Sequence, residues 1–443
     1  MHGSPDLLSR SPSGRTNGTI EVPVSASRGR DHPNTAKTDH AAHRTRSGVI
    51  DDDGLVHAHR PAPLAPILAL SFLATFGTAV LWNGLAFIAK EAYGFDEGWN
   101  LALAIWNGAV YALAAFRSGA VLRRLERFMK PRTVLAWVFL LQVLICPMVL
   151  AGSSTVLLFV VAGAMSGLAA FFWPVIEAFV AAGRTPDRMR HAIGWWNATW
   201  MTALGLALVA IAPFLAAGHA AWAIVALAPL NLICLAVLLV GLPPRPAAHA
   251  EVQPETQPPP GYHDLLASHR AMLPLAYALI GALSPLMPYL LSDLEAPLLW
   301  QTPLTATWMF ARVAGITVLR FVPWWHGRWT TAVLGATLLL GGFVGVIASP
   351  SITMIIIALT VFGLGQAVIY YGSLYYVMRV GDADIDAAST HEGLIGVGYA
   401  AGPAAAAVGV IAGGGGLVIA SSLLLPAAAA WPAIRPWWRA RRR

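Results

Sequence analysis

Twelve apolar runs, each about as long as a bilayer crossing, dominate the chain. They cover residues 64–90, 99–121, 133–152, 155–182, 192–216, 220–242, 272–293, 299–321, 330–348, 352–378, 392–411 and 415–434. A helix needs roughly 20 apolar residues to cross the hydrocarbon layer. Lipid offers the backbone no hydrogen-bond partner, so such a run satisfies its own amides by becoming helical. The chain is 57% hydrophobic and only 12% charged, where soluble domains carry roughly 25% charged residues. The expected fold class is therefore all-α and integral to the membrane, with twelve transmembrane helices. Cys146 and Cys234 both lie inside apolar runs, so they read as small core residues and not as a disulfide framework.

Basic residues orient the runs, because Lys and Arg accumulate on the cytoplasmic side. With the N-terminus inside, the loop after the second run carries Arg117, Arg123, Arg124, Arg127, Lys130 and Arg132. The next inner loop carries Arg184, Arg188 and Arg190, and Arg245, Arg270, Arg320, Arg328 and Arg379 follow on the same side. With the tail "RPWWRARRR", nineteen basic residues fall inside and Lys90 alone outside. Both termini are expected in the cytoplasm and the protein in the plasma (inner) membrane. The net charge of +7 thus belongs to membrane topology. No basic stripe alternates with exposed aromatics, so the lipid bilayer is an expected partner and nucleic acid is not.

Residues 1–61 are rich in Ser, Arg, His, Asp and Pro. That composition cannot bury a core, and a disordered cytoplasmic tail is expected. The first 30 residues hold no apolar stretch of the signal-peptide kind. Residues 243–271 contain "QPETQPPPG" and read as a Pro-rich cytoplasmic linker between six-helix bundles at 62–242 and 272–435. A basic tail, 436–443, follows.

The halves share a pattern. Gly119 pairs with Gly315, Arg123 with Arg320, Arg132 with Arg328, Gly167 with Gly365 and Gly194 with Gly396, at offsets that drift only from 196 to 202. A parallel duplication, two six-helix pseudo-repeats about an axis along the membrane normal, fits one large transporter architecture.

With this layout, the chain resembles the major facilitator superfamily over about residues 62–435. The resemblance rests on the six-plus-six arrangement, the long inner linker and the basic loops after runs two and eight. In that family the loop after the second helix usually reads Gly-x-x-x-Asp-Arg-x-Gly-Arg-Arg. Here Gly119 and Arg124 fit, while Arg123 replaces the Asp and Glu126 the second Gly. The resemblance implies a secondary active transporter working by alternating access, coupled to protons or another gradient. It also implies an acidic residue near the inner end of the fourth helix that ties down the basic loop. No GxxxxGK[ST] phosphate loop is present, which argues against a self-contained ATP-driven pump.

Candidate site residues follow from depth, at about 1.5 Å per residue. Arg312 lies near the middle of its run. An Arg there costs roughly 2.5–3.5 kcal/mol on insertion scales, so it demands either a structural partner or a water-filled cavity that holds an anion. Asn83, Asn107, Tyr111, Gln366 and Tyr370 are also central. Amides at such depths serve either as packing glue between helices or as solute ligands. Asn197 and Trp200 sit a turn inside their run, while Trp195, Trp196, Tyr375 and Tyr376 read as an interfacial aromatic belt. Glu177 lies only about 7–8 Å from the inner end of its run. It is expected to gate by pairing with Arg123, Arg124 or Arg190, with proton carriage as the alternative. Glu392 reads as a first-turn carboxylate favoured by the helix dipole.

"HEGLI" at 391–395 is half a zinc-protease motif, with Ile395 where a second His would be needed. No metal site, cofactor or catalytic residue is expected. Gly398 and Gly402 read as a close helix contact. The function expected is transport of a small solute, an anion being one candidate, by a monomer. The alternative is a receptor or scaffold that keeps the fold without flux.

Overall fold

The computed structural model describes residues 61–152, 154–247, 259, 261–380 and 385–412, with isolated positions between 424 and 435. The expected N-terminal tail, the middle of the linker and most of the twelfth run lie outside the described residues, as does the Arg190 side chain.

The described residues form helices and no strands. Their membrane-length helices are α1 (Leu64–Tyr93), α2 (Glu97–Leu125), α3 (Pro131–Ala151), α4 (Thr155–Ala181), α5 (Pro186–Ala216), α6 (Trp222–Gly241) and α7 (Tyr262–Asp293). After α8 come α9 (Trp329–Ile347), α10 (Ile352–Val380) and α11 (Ile385–Ala412). α8 consists of two pieces, Leu298–Thr305 and Thr307–Phe321. Pro303 weakens the ladder ahead of the joint, yet Ala306 keeps right-handed backbone angles, so the pieces run on as one span. Eleven of the twelve apolar runs are thus helices within the described residues.

Local chemistry sets the ends. Asp96 caps α2 by accepting from the Trp99 amide at 2.8 Å, and Ser154 caps α4 from the Leu157 amide. Gly94, with φ of 66°, closes α1 in the left-handed conformation that favours glycine. Pro131 and Pro186 occupy first-turn positions where a missing N–H costs nothing. Arg132 donates to the Leu242 carbonyl at 2.8 Å, satisfying an orphan group at the end of α6.

Three helices start earlier than apolarity predicts: α5 at Pro186, α7 at Tyr262 and α11 at Ile385. The added turns carry charges, which end an apolar run without ending a helix. In α7 the extra turns are amphipathic. Leu265 and Leu266 pack with Leu319, Trp325 and Tyr376 in a small cluster at the basic end of the bundle. Tyr376 is therefore buried and not part of a belt, and its hydroxyl accepts from the Gly327 amide at 3.0 Å.

Helices from the two halves touch most closely where side chains vanish. A Cβ on Gly108 of α2 would lie 2.4 Å from the Ala400 amide nitrogen of α11, and one on Gly396 would lie 2.7 Å from Ala112 of α2. Gly398 and Gly402, expected to mark a close helix contact, do so: they press on α7 within the second half. A Cβ on Gly402 would come within 1.9 Å of the Ala278 carbonyl oxygen. The outward faces carry large exposed apolar side chains such as Leu113, Phe116, Val156 and Val240, a surface suited to lipid.

Candidate functional site

Helical spacing alone gathers the site. Side chains three, four, seven or eight apart share one helix face. Trp196, Trp200 and Leu204 of α5 form one such set, Trp308 and Arg312 of α8 another, and Glu392, Ile395 and Tyr399 of α11 a third. All of them line a central cavity of about 50 Å³, room for only a few waters. Thr78, Trp82 and Asn83 of α1, Tyr111 of α2, Trp173 of α4, Tyr277 of α7 and Tyr370 of α10 complete its wall. The contributors are α1, α2, α4 and α5 from the first half and α7, α8, α10 and α11 from the second. Adding six to each number of the first set gives the second, as a pseudo-repeat requires. In α1 the ladder slips into a π turn over Val80–Gly84 at the level of Trp82 and Asn83. Such single turns recur at functional sites.

Arg312 is 2% exposed. One Nη donates to the Tyr277 hydroxyl at 3.2 Å, and the guanidinium lies over the rings of Tyr370, Trp200 and Tyr277, with 4.3, 5.4 and 5.9 Å to their centroids. Each cation–π contact contributes roughly 0.5–2 kcal/mol. Three together match the cost of about 2.5–3.5 kcal/mol for an Arg at this depth. Of the two alternatives for Arg312, it lines the cavity, and its structural partners there are aromatic faces and the Tyr277 hydroxyl. The Arg312 Nε remains without a partner.

Glu392 lines the same cavity but does not pair with Arg312. Its carboxylate accepts from the Tyr111 hydroxyl. The position is a correction: α11 begins at Ile385, so Glu392 stands about two turns inside the helix and is not a cap. Glu177 of α4 is not among the residues that line the cavity. Arg123 and Arg124 are exposed at the basic end.

The amides divide. Asn83 reaches the cavity and accepts from the Ser284 hydroxyl at 3.1 Å, across the two halves. Asn197 stands behind the wall and braces it: its Oδ1 accepts from Trp200 Nε1 at 3.0 Å and from the Tyr370 hydroxyl at 3.4 Å. Asn107 and Gln366 are buried and do not line the cavity. The Asn107 carbonyl accepts from Ser166 at 2.9 Å, while its side-chain oxygen and both Gln366 amide atoms have no partner.

Six lining aromatics escaped the sequence reading: Trp82, Trp173, Trp196, Tyr277, Trp308 and Tyr399. Trp196 is a correction: assigned to the belt, it is 3% exposed and donates to Ser71 Oγ at 2.9 Å, whereas Trp195 next to it is 48% exposed. The four-residue step from Trp196 to Trp200 was the available signal.

Contacts between the halves lie on either side of the cavity along the helices. At one end Lys90 of α1 donates to the Pro288 carbonyl at 3.0 Å and to Ser292, both on α7. Asn100 donates to the Tyr289 hydroxyl at 2.8 Å, which in turn donates to the Phe95 carbonyl at 2.7 Å. At the basic end Arg320 of α8 meets His191 at 3.3 Å and lies over the Trp195 ring, while Ser118 of α2 donates to Ser389 of α11 at 3.2 Å.

An aromatic-lined cavity thus lies between two helix sets whose numbers differ by six. The sequence model of the Major Facilitator Superfamily matches residues 67–407. The chain belongs to the Major Facilitator Superfamily. This family member is a multi-pass membrane transporter with the family's twelve-helix fold. A variant of the nucleoside transporter NupG superposes with a TM-score of 0.60 at 14% identity, over 84% of this chain and 97% of that one. A bacterial homologue of the human lysosomal transporter Spinster, inward-facing and occupied, gives 0.58 at 14% identity, over 84% and 95%. The human organic anion transporter MFSD10 (TETRAN) gives 0.53 at 14% identity, over 84% and 99%. No curated protein matches the sequence. At these identities the likeness establishes the fold.

Proposed function

We propose that the chain is a secondary active transporter that moves a small solute across the inner membrane by alternating access, with both termini in the cytoplasm. One observation carries this reading: a cavity lies between the two halves, and on either side of it side chains join one half to the other. Breaking the Lys90 contacts would open the cavity to the outside, and breaking those of Arg320 and Ser118 would open it to the cytoplasm. Inter-half contacts of this kind are the ones a rocking motion exchanges. In this reading the solute is held by Arg312, Asn83, Tyr111, Trp200 and Tyr370, with Asn197 holding the rings in place.

In the same reading Glu392 couples transport to an ion or proton gradient, and Glu177, from the other half, gates, with proton carriage as its alternative role. Arg123, Arg124 and Arg190 would gate from the inner loops. Solute screening by thermal shift on the purified protein tests the proposal, because a bound substrate stabilises the folded state. Stabilising solutes are then assayed for counterflow in proteoliposomes. Counterflow is the expected result. Solutes that bind tightly and show no flux would instead make the protein a receptor that has kept the fold.

A further inference from the structure

We infer that the central cavity takes a planar aromatic anion, a carboxylate carried on a flat ring, whose acid group meets Arg312 and whose ring slots between aromatic side chains. This deepens the transporter reading and rests on it. Two features point to the anion. Arg312 is buried and its Nε lacks a partner, although a guanidinium offers five donors in a fork that matches a carboxylate. No salt bridge joins it to Glu392 among the described residues, because the Glu392 carboxylate is taken by Tyr111. The positive charge is therefore met by three ring faces and one neutral hydroxyl, and an incoming carboxylate would add charge-assisted hydrogen bonds that no residue now supplies.

The walls specify the rest of the ligand. Nine of the fifteen lining residues are aromatic. Trp82 of the first half and Tyr399 of the second are stacked, with centroids 4.2 Å apart and planes inclined by 23°. That sandwich spans the two halves, so a flat solute inserted there would gain a ring face from each. Aromatic pairs contribute about 0.5–1.5 kcal/mol beyond their buried area, and a saturated ring of equal size cannot collect that gain. The cavity now holds only about 50 Å³, so the solute enters as Trp82 and Tyr399 part, which couples its binding to separation of the halves.

The test uses the full-length protein in detergent and four probes: 2-naphthoate, benzoate, cyclohexanecarboxylate and benzamide. Isothermal titration calorimetry should rank 2-naphthoate and benzoate at least about tenfold tighter than either control. Arg312→Gln should weaken the aromatic carboxylates at least about tenfold and bring benzoate down to the level of benzamide. Trp82→Leu, a change that leaves the cation in place, should remove the preference for benzoate over cyclohexanecarboxylate. Equal affinity for the saturated acid refutes the aromatic half of the inference, and equal affinity for benzamide refutes the anionic half. Absence of binding by all four probes at about 10 mM, a threshold equivalent to only ~3 kcal/mol of affinity, refutes it whole. Counterflow of some non-aromatic solute in that last case would leave the transporter reading intact. Tight 2-naphthoate binding without counterflow would retain the site and overturn transport.

Discussion

Replacing Lys90 by Met should tilt the conformational equilibrium toward opening at the Lys90 end. Met keeps most of the aliphatic stem and removes the ammonium, so the change isolates its two hydrogen bonds to α7: one to the Pro288 carbonyl at 3.0 Å and one to Ser292. The ammonium also lies 5.2 Å from the Tyr289 ring centroid. Hydrogen bonds to a charged donor contribute about 1.5–3 kcal/mol each when well buried. Lys90 is only partly buried, and water takes its place once the halves separate, so a total near 1–2 kcal/mol is appropriate. That corresponds to a shift of about 5–30-fold in the ratio of open to closed forms. Asn100 and Tyr289 still join the halves, so the end loosens without falling apart. Spin labels at Glu91→Cys and Asp293→Cys, both exposed at that end, report the separation by pulsed electron resonance. The two native cysteines are buried, which leaves the introduced thiols to react. A second, longer distance should gain population in K90M. An unchanged distance distribution would refute the assignment of Lys90 as a latch.

Two further substitutions test the packing. Gly402→Ala places a Cβ 1.9 Å from a backbone oxygen of α7, whereas Gly341 has nothing within 4 Å of the same position. Overpacking of this kind costs about 1–3 kcal/mol or more, so G402A should melt several degrees lower and G341A should match the parent; equal melting would show that α7 and α11 are not pressed together there. Gln366→Met removes two buried amide atoms that have no partner. An unsatisfied buried group costs about 1–3 kcal/mol, so thermal stability should rise, and a fall would mean that Gln366 makes hydrogen bonds in the membrane.

The membrane spans were legible because lipid imposes a length and a polarity on any crossing segment, and neither depends on neighbouring helices. The bounds of α5, α7 and α11 were missed by several residues because charged turns end the apolar run, while the helix continues on tertiary packing such as Leu265 against Trp325. The site was half legible. Arg312 stood out since its cost at mid-depth is large whatever surrounds it. Trp196, Tyr277 and Tyr399 did not, because in a helix that is apolar on every face composition cannot distinguish a ring that meets lipid from one that meets a cavity. Only the neighbours decide, as the opposite fates of Trp195 and Trp196 illustrate. Glu392 was misplaced for a related reason: its depth was counted from the start of the apolar run, and α11 starts seven residues before it.

The most direct test of alternating access needs no substrate. Thr78→Cys puts a thiol on the wall of the central cavity in a protein whose own cysteines are buried. A membrane-impermeant maleimide is then applied to right-side-out and to inside-out vesicles. The account predicts modification from both sides, faster from the Lys90 side when K90M is added. Modification from one side alone, or from neither, would contradict it.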